Sequence, residues 1–309
     1  MRPAVYIPNF NGGSRLDAAL ESLRTQTRPL DVVLVDNGSS DDSVELVRER
    51  YPEVDLLEMG ENLGFGPALN RAAAAHPADP LILLNNDAVA APRFAEALLD
   101  AHATGAATVA GVLTQERAPG LIDSAGVIAD RTLMGFDYLH GEPLAAATGA
   151  ADPLGPTGGA ALYSKSAFDA VGGFDERIFL YYEDLDLALR LAAAGARCRL
   201  APEATAVHAY SASLGAGSGA KYERTGWSRG YMLRRYGVMS HPREAARVLL
   251  AEGAICAGQL LMDRTAAGVR GRLRGWREAA GLERRDAGDA ELLDLTPGAA
   301  LRLRRRRRG

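Results

Sequence analysis

Cysteine is nearly absent from this 309-residue chain, Cys198 and Cys256 being the only two. Two cysteines build neither a disulfide framework nor a thiolate metal cluster, and they suit a reducing compartment. No run of about 18 apolar residues occurs, so no membrane-spanning helix is expected. The opening MRPAVYIPNFNGG turns polar after a few apolar residues and does not read as a secretion signal. The expected location is therefore cytoplasmic. The body of the chain has no excess of positive charge. The formal net charge is −4, and the six arginines at 302 and 304–308 leave −10 on the remainder. An acidic body argues against a nucleic-acid partner.

Several motifs are missing as well. There is no G-x-x-x-x-G-K-[ST], which excludes a phosphate-binding loop of the nucleoside-triphosphatase kind. The glycines at 60, 64 and 66 in GENLGFG lack the G-x-G-x-x-G spacing and follow a third strand instead of opening the fold, which argues against a dinucleotide site. The stretch Asp36 to Asp41 resembles a calcium loop in composition, yet it lacks the sixth-position glycine and the closing glutamate. A turn with a helix cap is the plainer reading there.

What is present is a soluble composition, 47% hydrophobic, long enough for one large domain or two smaller ones. The stretch Leu81–Ala88, LILLNNDA, organises it. Four consecutive apolar residues read as a strand buried on both faces, at the centre of a mostly parallel sheet. Asn85, Asn86 and Asp87 then fall at its carboxyl edge, where open α/β sheets place their ligands. A carboxylate flanked by amides there suits a hard cation held against a diphosphate, although a polar strand-to-helix turn alone would look similar. Strands over Ala4 to Pro8, Val32 to Val35 and Val54 to Leu57 alternate with helical patterns. That order predicts right-handed crossovers and strand-to-helix loops gathered at one edge.

The second half reads differently. Residues 114 to 156 are rich in Gly, Ala and Pro and read as loops and hairpins laid over the sheet. Thr157 to Tyr163 reads as a strand whose Gly158 and Gly159 allow a ligand to approach the backbone closely. Leu185, Ala188, Leu189 and Ala192 form a helical stripe ended by Gly195, which puts Glu183 and Asp184 in the first turn. Helix capping accounts for such carboxylates, but the aromatic approach Phe179-Leu180-Tyr181-Tyr182 would desolvate one and raise its basicity. His208, at the end of a short strand from Ala204 to Val207, reads either as structural or as completing a cation site begun by Asp87.

Seven segments in order, IPNFNGG, VDNGSSDDS, ENLGFGPALNRA, LLNNDA, TGGAALY, VGGFDERIFLYYEDLDLALRLAAAG and PEATAVHA, resemble family 2 glycosyltransferases of the GT-A fold. The resemblance is strongest to the rhamnosyltransferase-like branch of bacterial cell-surface polysaccharide synthesis, and it covers roughly residues 3–236. It implies that Pro8, Asn9 and Asp36 hold the nucleotide base and ribose, and that Asn62, Gly64 and Asn70 line the same pocket. Asn86, Gly158 and Gly159 join them on the donor. The family's Asp-x-Asp motif holds Mg²⁺ or Mn²⁺ on the diphosphate; Asn85 stands in its first position, leaving Asp87 as the carboxylate, with His208 beside it. The general base is implied to be Asp184, with Glu183 the alternative. The implied donor is a dTDP- or UDP-sugar carrying rhamnose or a hexose, and the acceptor a glycan or lipid-linked hydroxyl. Transfer with inversion follows from one base opposite the leaving group. A nucleotidyltransferase and a non-catalytic binding or scaffold homologue are the competing readings.

The GT-A domain is expected over 1–240. A basic helix over 221–236 brings Trp227, Arg229, Arg234 and Arg235 toward an acceptor phosphate or a membrane surface, or else packs with a solvated basic edge. A helical extension is expected over 241–285, packing on the domain, on the inner leaflet of a membrane or on a second copy. Residues 286–309 lose periodicity and read as a disordered basic tail drawn to anionic lipid.

Overall fold

The computed structural model describes residues 2–209 and 218–306. The chain opens with β1 (Ala4–Asn9), α1 (Gly13–Arg24), β2 (Asp31–Asp36), α2 (Ser43–Arg50), β3 (Asp55–Glu58), α3 (Phe65–Ala75) and β4 (Leu81–Leu84). These four strands lie in the order β3-β2-β1-β4 and run parallel, with Ala4 opposite both Asp31 and Leu81. The alternation read from the sequence is thus realised, with both faces of β4 covered. Ile82 and Leu84 pack under α1 and α4, whereas Leu81 and Leu83 pack under α3 and α6. Each such buried side chain contributes roughly 1.5–3 kcal/mol.

Next come β5 (Ala88–Ala90), α4 (Phe94–Ala103), β6 (Thr108–Gln115), β7 (Ile122–Ser124), β8 (Val127–Ala129), β9 (Gly135–Asp137), β10 (Ala160–Tyr163), α5 (Lys165–Ala170), α6 (Glu183–Ala193) and β11 (Cys198–His208). The sheet continues from β4 through β10, β6 and β11 to β5, and becomes mixed. β10 is antiparallel to both β4 and β6, while β11 is parallel to β6. An antiparallel β10 presents its beginning, not its end, at the edge where β4 finishes. Gly158 and Gly159 thereby reach the same edge as Asn85, and Asn85 N–H donates to Gly159 O at 3.2 Å.

Beyond these lie α7 (Gly219–Arg235), α8 (Pro242–Leu261), α9 (Ala267–Glu278) and α10 (Pro297–Arg306). α7 and α9 pack with their backbones nearly touching. A Cβ at Gly230 would stand 2.0 Å from Arg272 O, and one at Gly275 would stand 2.0 Å from Trp227 O. Only glycine lets helices approach so closely. Arg229 is 1% exposed and is held between Glu252 on α8, at 2.6 Å, and the carbonyls of Thr132 and Leu133. Arg272 of α9 reaches the other oxygen of Glu252. Burial alone would raise the Glu252 carboxyl, but the two guanidinium groups hold it down at about 2.

Two sequence expectations change here. Of the two readings of α7 the packed helix is realised, with its arginines more enclosed than a solvated edge. Arg229 is internal, Arg234 lies over Trp276, and Trp227 stacks on Tyr231 and donates to Glu278. The reason is α8, which supplies Glu252 to Arg229, and α9, whose own period was too rich in Arg and Gly to reveal a packing face. Nor is the tail without order. Leu293 N–H donates to Ala129 O at 2.9 Å, and Ala300 on α10 is buried against Met134, Phe136 and Ala251. Residues 307–309 lie outside the described residues.

Candidate active site

The carboxyl ends of β1, β2, β4 and β11 and the beginning of β10 converge on a cleft of about 340 Å³. Pro8, Asn9, Asn62, Gly64, Asn86, Asp87, Gly158, Gly159, Glu183, Asp184 and His208 line it. Of the residues read from the sequence, Asp36 and Asn70 are not in its wall.

Asp36 supports the wall instead. Asn9 Nδ2 donates to Asp36 Oδ1 at 3.1 Å, Ser39 N–H donates to Asp36 Oδ2, and Asn86 Nδ2 donates to Asn9 Oδ1 at 2.8 Å. A chain of amides therefore ties the end of β4 to the end of β2. Asn70 ties α3 to the 172–174 loop, giving and receiving hydrogen bonds of 2.9 Å with the backbone of Phe174. The two glycines before β10 also differ in role. The space beside Gly158 is filled by the Phe65 ring, and that beside Gly159 by the Asn85 amide. Their missing side chains admit protein neighbours.

At one end of the cleft, β11 delivers His208 and the pairing of Ala88 with His208 fixes Asp87 next to it. His208 Nε2 lies 3.2 Å from Asp87 Oδ1, and Nδ1 lies 2.7 Å from Asp123 Oδ2. The Asn85 amide is 3.4 Å from the same Nε2. Burial disfavours charge on the ring, yet the hydrogen bonds to Asp123 and Asp87 prevail and push its pKa up to about 10. Among the described residues, no three His, Cys, Asp or Glu side chains are arranged to hold a metal ion unaided.

At the other end lies the start of α6. Tyr181 and Tyr182 both adopt left-handed backbone, φ 70° and 71°, which costs non-glycine residues roughly 1–3 kcal/mol each. Their loop is held by α7, whose Ser228 donates to Leu180 O and whose Arg224 lies 4.1 Å over the Phe179 ring. Glu183 is buried, and its Oε2 has no hydrogen-bond partner. Burial first, and the neighbouring Asp184 second, push its pKa up to about 8. A second cavity of about 690 Å³ lies beyond this turn, and Tyr181, Glu183, Asp184, Asp137 and Lys221 line both.

The family model for glycosyl transferase family 2 matches residues 4–172, more than half of the chain. The chain is a family 2 glycosyltransferase. It is 34% identical over 245 residues to the N-acetylglucosaminyl-diphospho-decaprenol L-rhamnosyltransferase of Mycobacterium tuberculosis, covering 69% of this chain and 77% of that protein. Its fold is the GT-A fold of its structural neighbours. One is the mannosyltransferase PcManGT from Pyrobaculum calidifontis in complex with GDP-Man and Mn²⁺, with TM-score 0.53, 19% identity, and coverage of 91% and 87%. Another is S. aureus TarS 1-349, with TM-score 0.51, 17% identity, and coverage of 90% and 79%.

Sequence reasoning missed four residues of this glycosyltransferase. Asp123 lies in the glycine- and proline-rich stretch, where no periodicity marks a buried carboxylate. Asn37 holds the loop after β3: its Nδ2 donates to Gly64 O at 3.0 Å, and its Oδ1 accepts from Leu63 N–H at 2.9 Å. Its place after Asp36 in VDNGS was the available signal. Lys221 and Arg224, at the start of α7, are the basic residues of that helix that reach the cleft.

Proposed function

We propose that this glycosyltransferase moves a sugar, rhamnose or a hexose, from a dTDP- or UDP-linked donor to a hydroxyl of a lipid-linked or glycan acceptor in cell-surface polysaccharide synthesis. The observation that carries the reading is that Asp87 and Asp184 line one cleft at the carboxyl edge of the sheet. The leaving diphosphate and the attacking hydroxyl each need a carboxylate nearby, for opposite reasons.

Asp184 accepts the proton of the acceptor hydroxyl as its oxygen attacks the anomeric carbon. The bond from that carbon to the phosphate oxygen breaks, the nucleotide diphosphate leaves, and the configuration inverts. Glu183, kept neutral at pH 7 by burial, leaves the negative charge of the pair on Asp184. Lys221 and Arg224 supply positive charge to the same cleft. Asp87 and His208 would hold Mg²⁺ or Mn²⁺ only with the ion displacing the proton that His208 Nε2 shares with Asp87, Asp123 staying behind the ring. One oxygen and one nitrogen donor are short of a complete cage, which fits an ion that takes its other ligands from a diphosphate and water. Such an ion, when bound, stabilises charge on the leaving diphosphate as a Lewis acid.

The family membership sets the nucleotidyltransferase alternative aside. No helix among the described residues is long and apolar enough to cross a membrane. Leu261 and Met262, at the end of α8, are 80% and 82% exposed just before the exposed Arg264, and we assign them to contact with an anionic membrane surface. A second copy of the chain is the alternative occupant of that face.

A panel of nucleotide diphosphates and nucleotide sugars, each with Mn²⁺ and with chelator, tests the donor reading by thermal shift. A ligand at a hundredfold its Kd adds about 2.7 kcal/mol of stability. A metal-dependent shift with dTDP- or UDP-sugars, lost in Asp87→Ala, is the expected result. Donor binding without turnover on any acceptor would instead favour a binding homologue.

A further inference from the structure

The second cavity has twice the volume of the first, and the Glu183–Asp184 turn is part of both. A group lying in it reaches the base from the side away from the diphosphate end. Its walls come from the β8–β9 hairpin, from α7 and from α10, which contributes Leu303 and Arg304. Phe136, Tyr138, Tyr182 and Tyr222 line it with aromatic rings, among which Asp137, Glu142 and His140 supply polar groups. Aromatic faces with a few fixed polar groups suit a molecule with apolar C–H faces and hydroxyl edges, which is a sugar.

The unusual wall is α10. It lies far outside residues 4–172, yet it is seated on the hairpin through Ala300, which is 2% exposed and packs with Met134, Phe136 and Ala251. The segment before it is fixed as well, because Arg131 N–H donates to Leu293 O at 3.0 Å and Leu293 N–H to Ala129 O. Phe136 thus serves both as the seat of α10 and as lining of the cavity. Docking of α10 and the shape of the cavity are one packing event.

We propose that this cavity holds the acceptor sugar and that α10 is its recognition wall, Arg304 meeting a phosphate attached to that sugar. The proposal rests on the transferase reading above. Arg304 from α10 and Lys221 from α7 are the permanent cations of the cavity, while its carboxylates sit on the hairpin, the stretch after it and the catalytic turn. A guanidinium fork matches phosphate oxygens in pairs, and a hydroxyl-only acceptor gives it nothing equivalent.

The test uses the full chain and two acceptors with the same sugar, an alkyl N-acetylglucosaminide and an alkyl-diphosphate N-acetylglucosamine. Calorimetry reads direct binding of each, and kinetics reads KM. In Arg304→Gln, the diphosphate acceptor should lose about tenfold more affinity than the neutral one, the scale of a hydrogen bond to a charged group. Ala300→Asp, which unseats α10 without touching the cavity chemistry, should weaken both acceptors while donor binding holds. Equal losses for the two acceptors in Arg304→Gln would overturn the phosphate contact. Unchanged binding of both in Ala300→Asp would overturn the wall. Acceptors that bind the wild type without turnover would count against the transferase reading and leave the cavity assignment standing. Failure of both to bind would remove it.

Discussion

The imidazole of His208 donates from Nδ1 to Asp123 Oδ2 at 2.7 Å, across eighty-five residues of sequence. The contact fixes the ring plane and leaves Nε2 facing Asp87, 3.2 Å away. Such a carboxylate behind a histidine raises its basicity and holds its orientation. Asp123 is itself held, since its backbone carbonyl accepts from His140 at 2.6 Å.

Replacing Asp123 with Asn should therefore lower Mn²⁺-dependent donor affinity by about tenfold or more while keeping the fold. Calorimetry with metal and with chelator makes the distinction. A variant whose metal-dependent affinity equals that of the wild type would show that Asp123 only supports the loop.

Glu183 carries a pH signature. Its carboxyl titrates at about 8 in the folded protein, against 4.5 when unfolded, so the folded state holds its proton more tightly. Its contribution to stability is present below pH 4.5 and is lost as pH rises through 8. The melting temperature of Glu183→Gln, measured against wild type from pH 5 to 9, should pull ahead up to about pH 8 and level off above it. Parallel melting curves would mean that the buried carboxyl is ionised throughout.

The Arg229–Glu252–Arg272 group joins α7, α8 and α9. Truncating Glu252 to Ala would strand a guanidinium that is 1% exposed, at a cost of about 3–5 kcal/mol. Urea unfolding midpoints measure this directly. A loss under about 1 kcal/mol would mean that water, or Asp130, whose charge also acts on Arg229, takes over the partnership.

The end of α8 gives the fourth prediction. Leu261→Asp with Met262→Asp should reduce cosedimentation with phosphatidylglycerol vesicles, each arginine nearby adding about 1 kcal/mol of attraction. Sizing by light scattering runs alongside. A wild-type dimer that becomes monomeric in the variant would assign the patch to a second copy of the chain.

The centre of the fold was plain in the sequence because β4 is covered on both faces, and four apolar residues in a row leave few alternatives. The edge at which the cleft opens followed from it. β10 was not legible as antiparallel, because a short buried strand carries no mark of its direction. Asp123 was hidden for a related reason: it gains meaning only from β11, which ends beside it. The arginines of α7 misled because periodicity shows that a face is basic but not that a second helix covers it. Arg229 looks the same on paper whether it meets water or Glu252.

The glycine contact between α7 and α9 makes the second of these helices a spacer for the cleft. Lys221 and Arg224 ride on α7, and the separation of α7 from α9 is set at Gly230 and Gly275 by backbone against backbone, with no side chain in between to yield. A single methyl group added at Gly275, more than fifty residues from either cation, cannot be absorbed locally. It must push the helix, and the helix carries the charges with it. The placing of these two charges at the cleft is in this sense a dimension machined outside residues 4–172, which the family model matches.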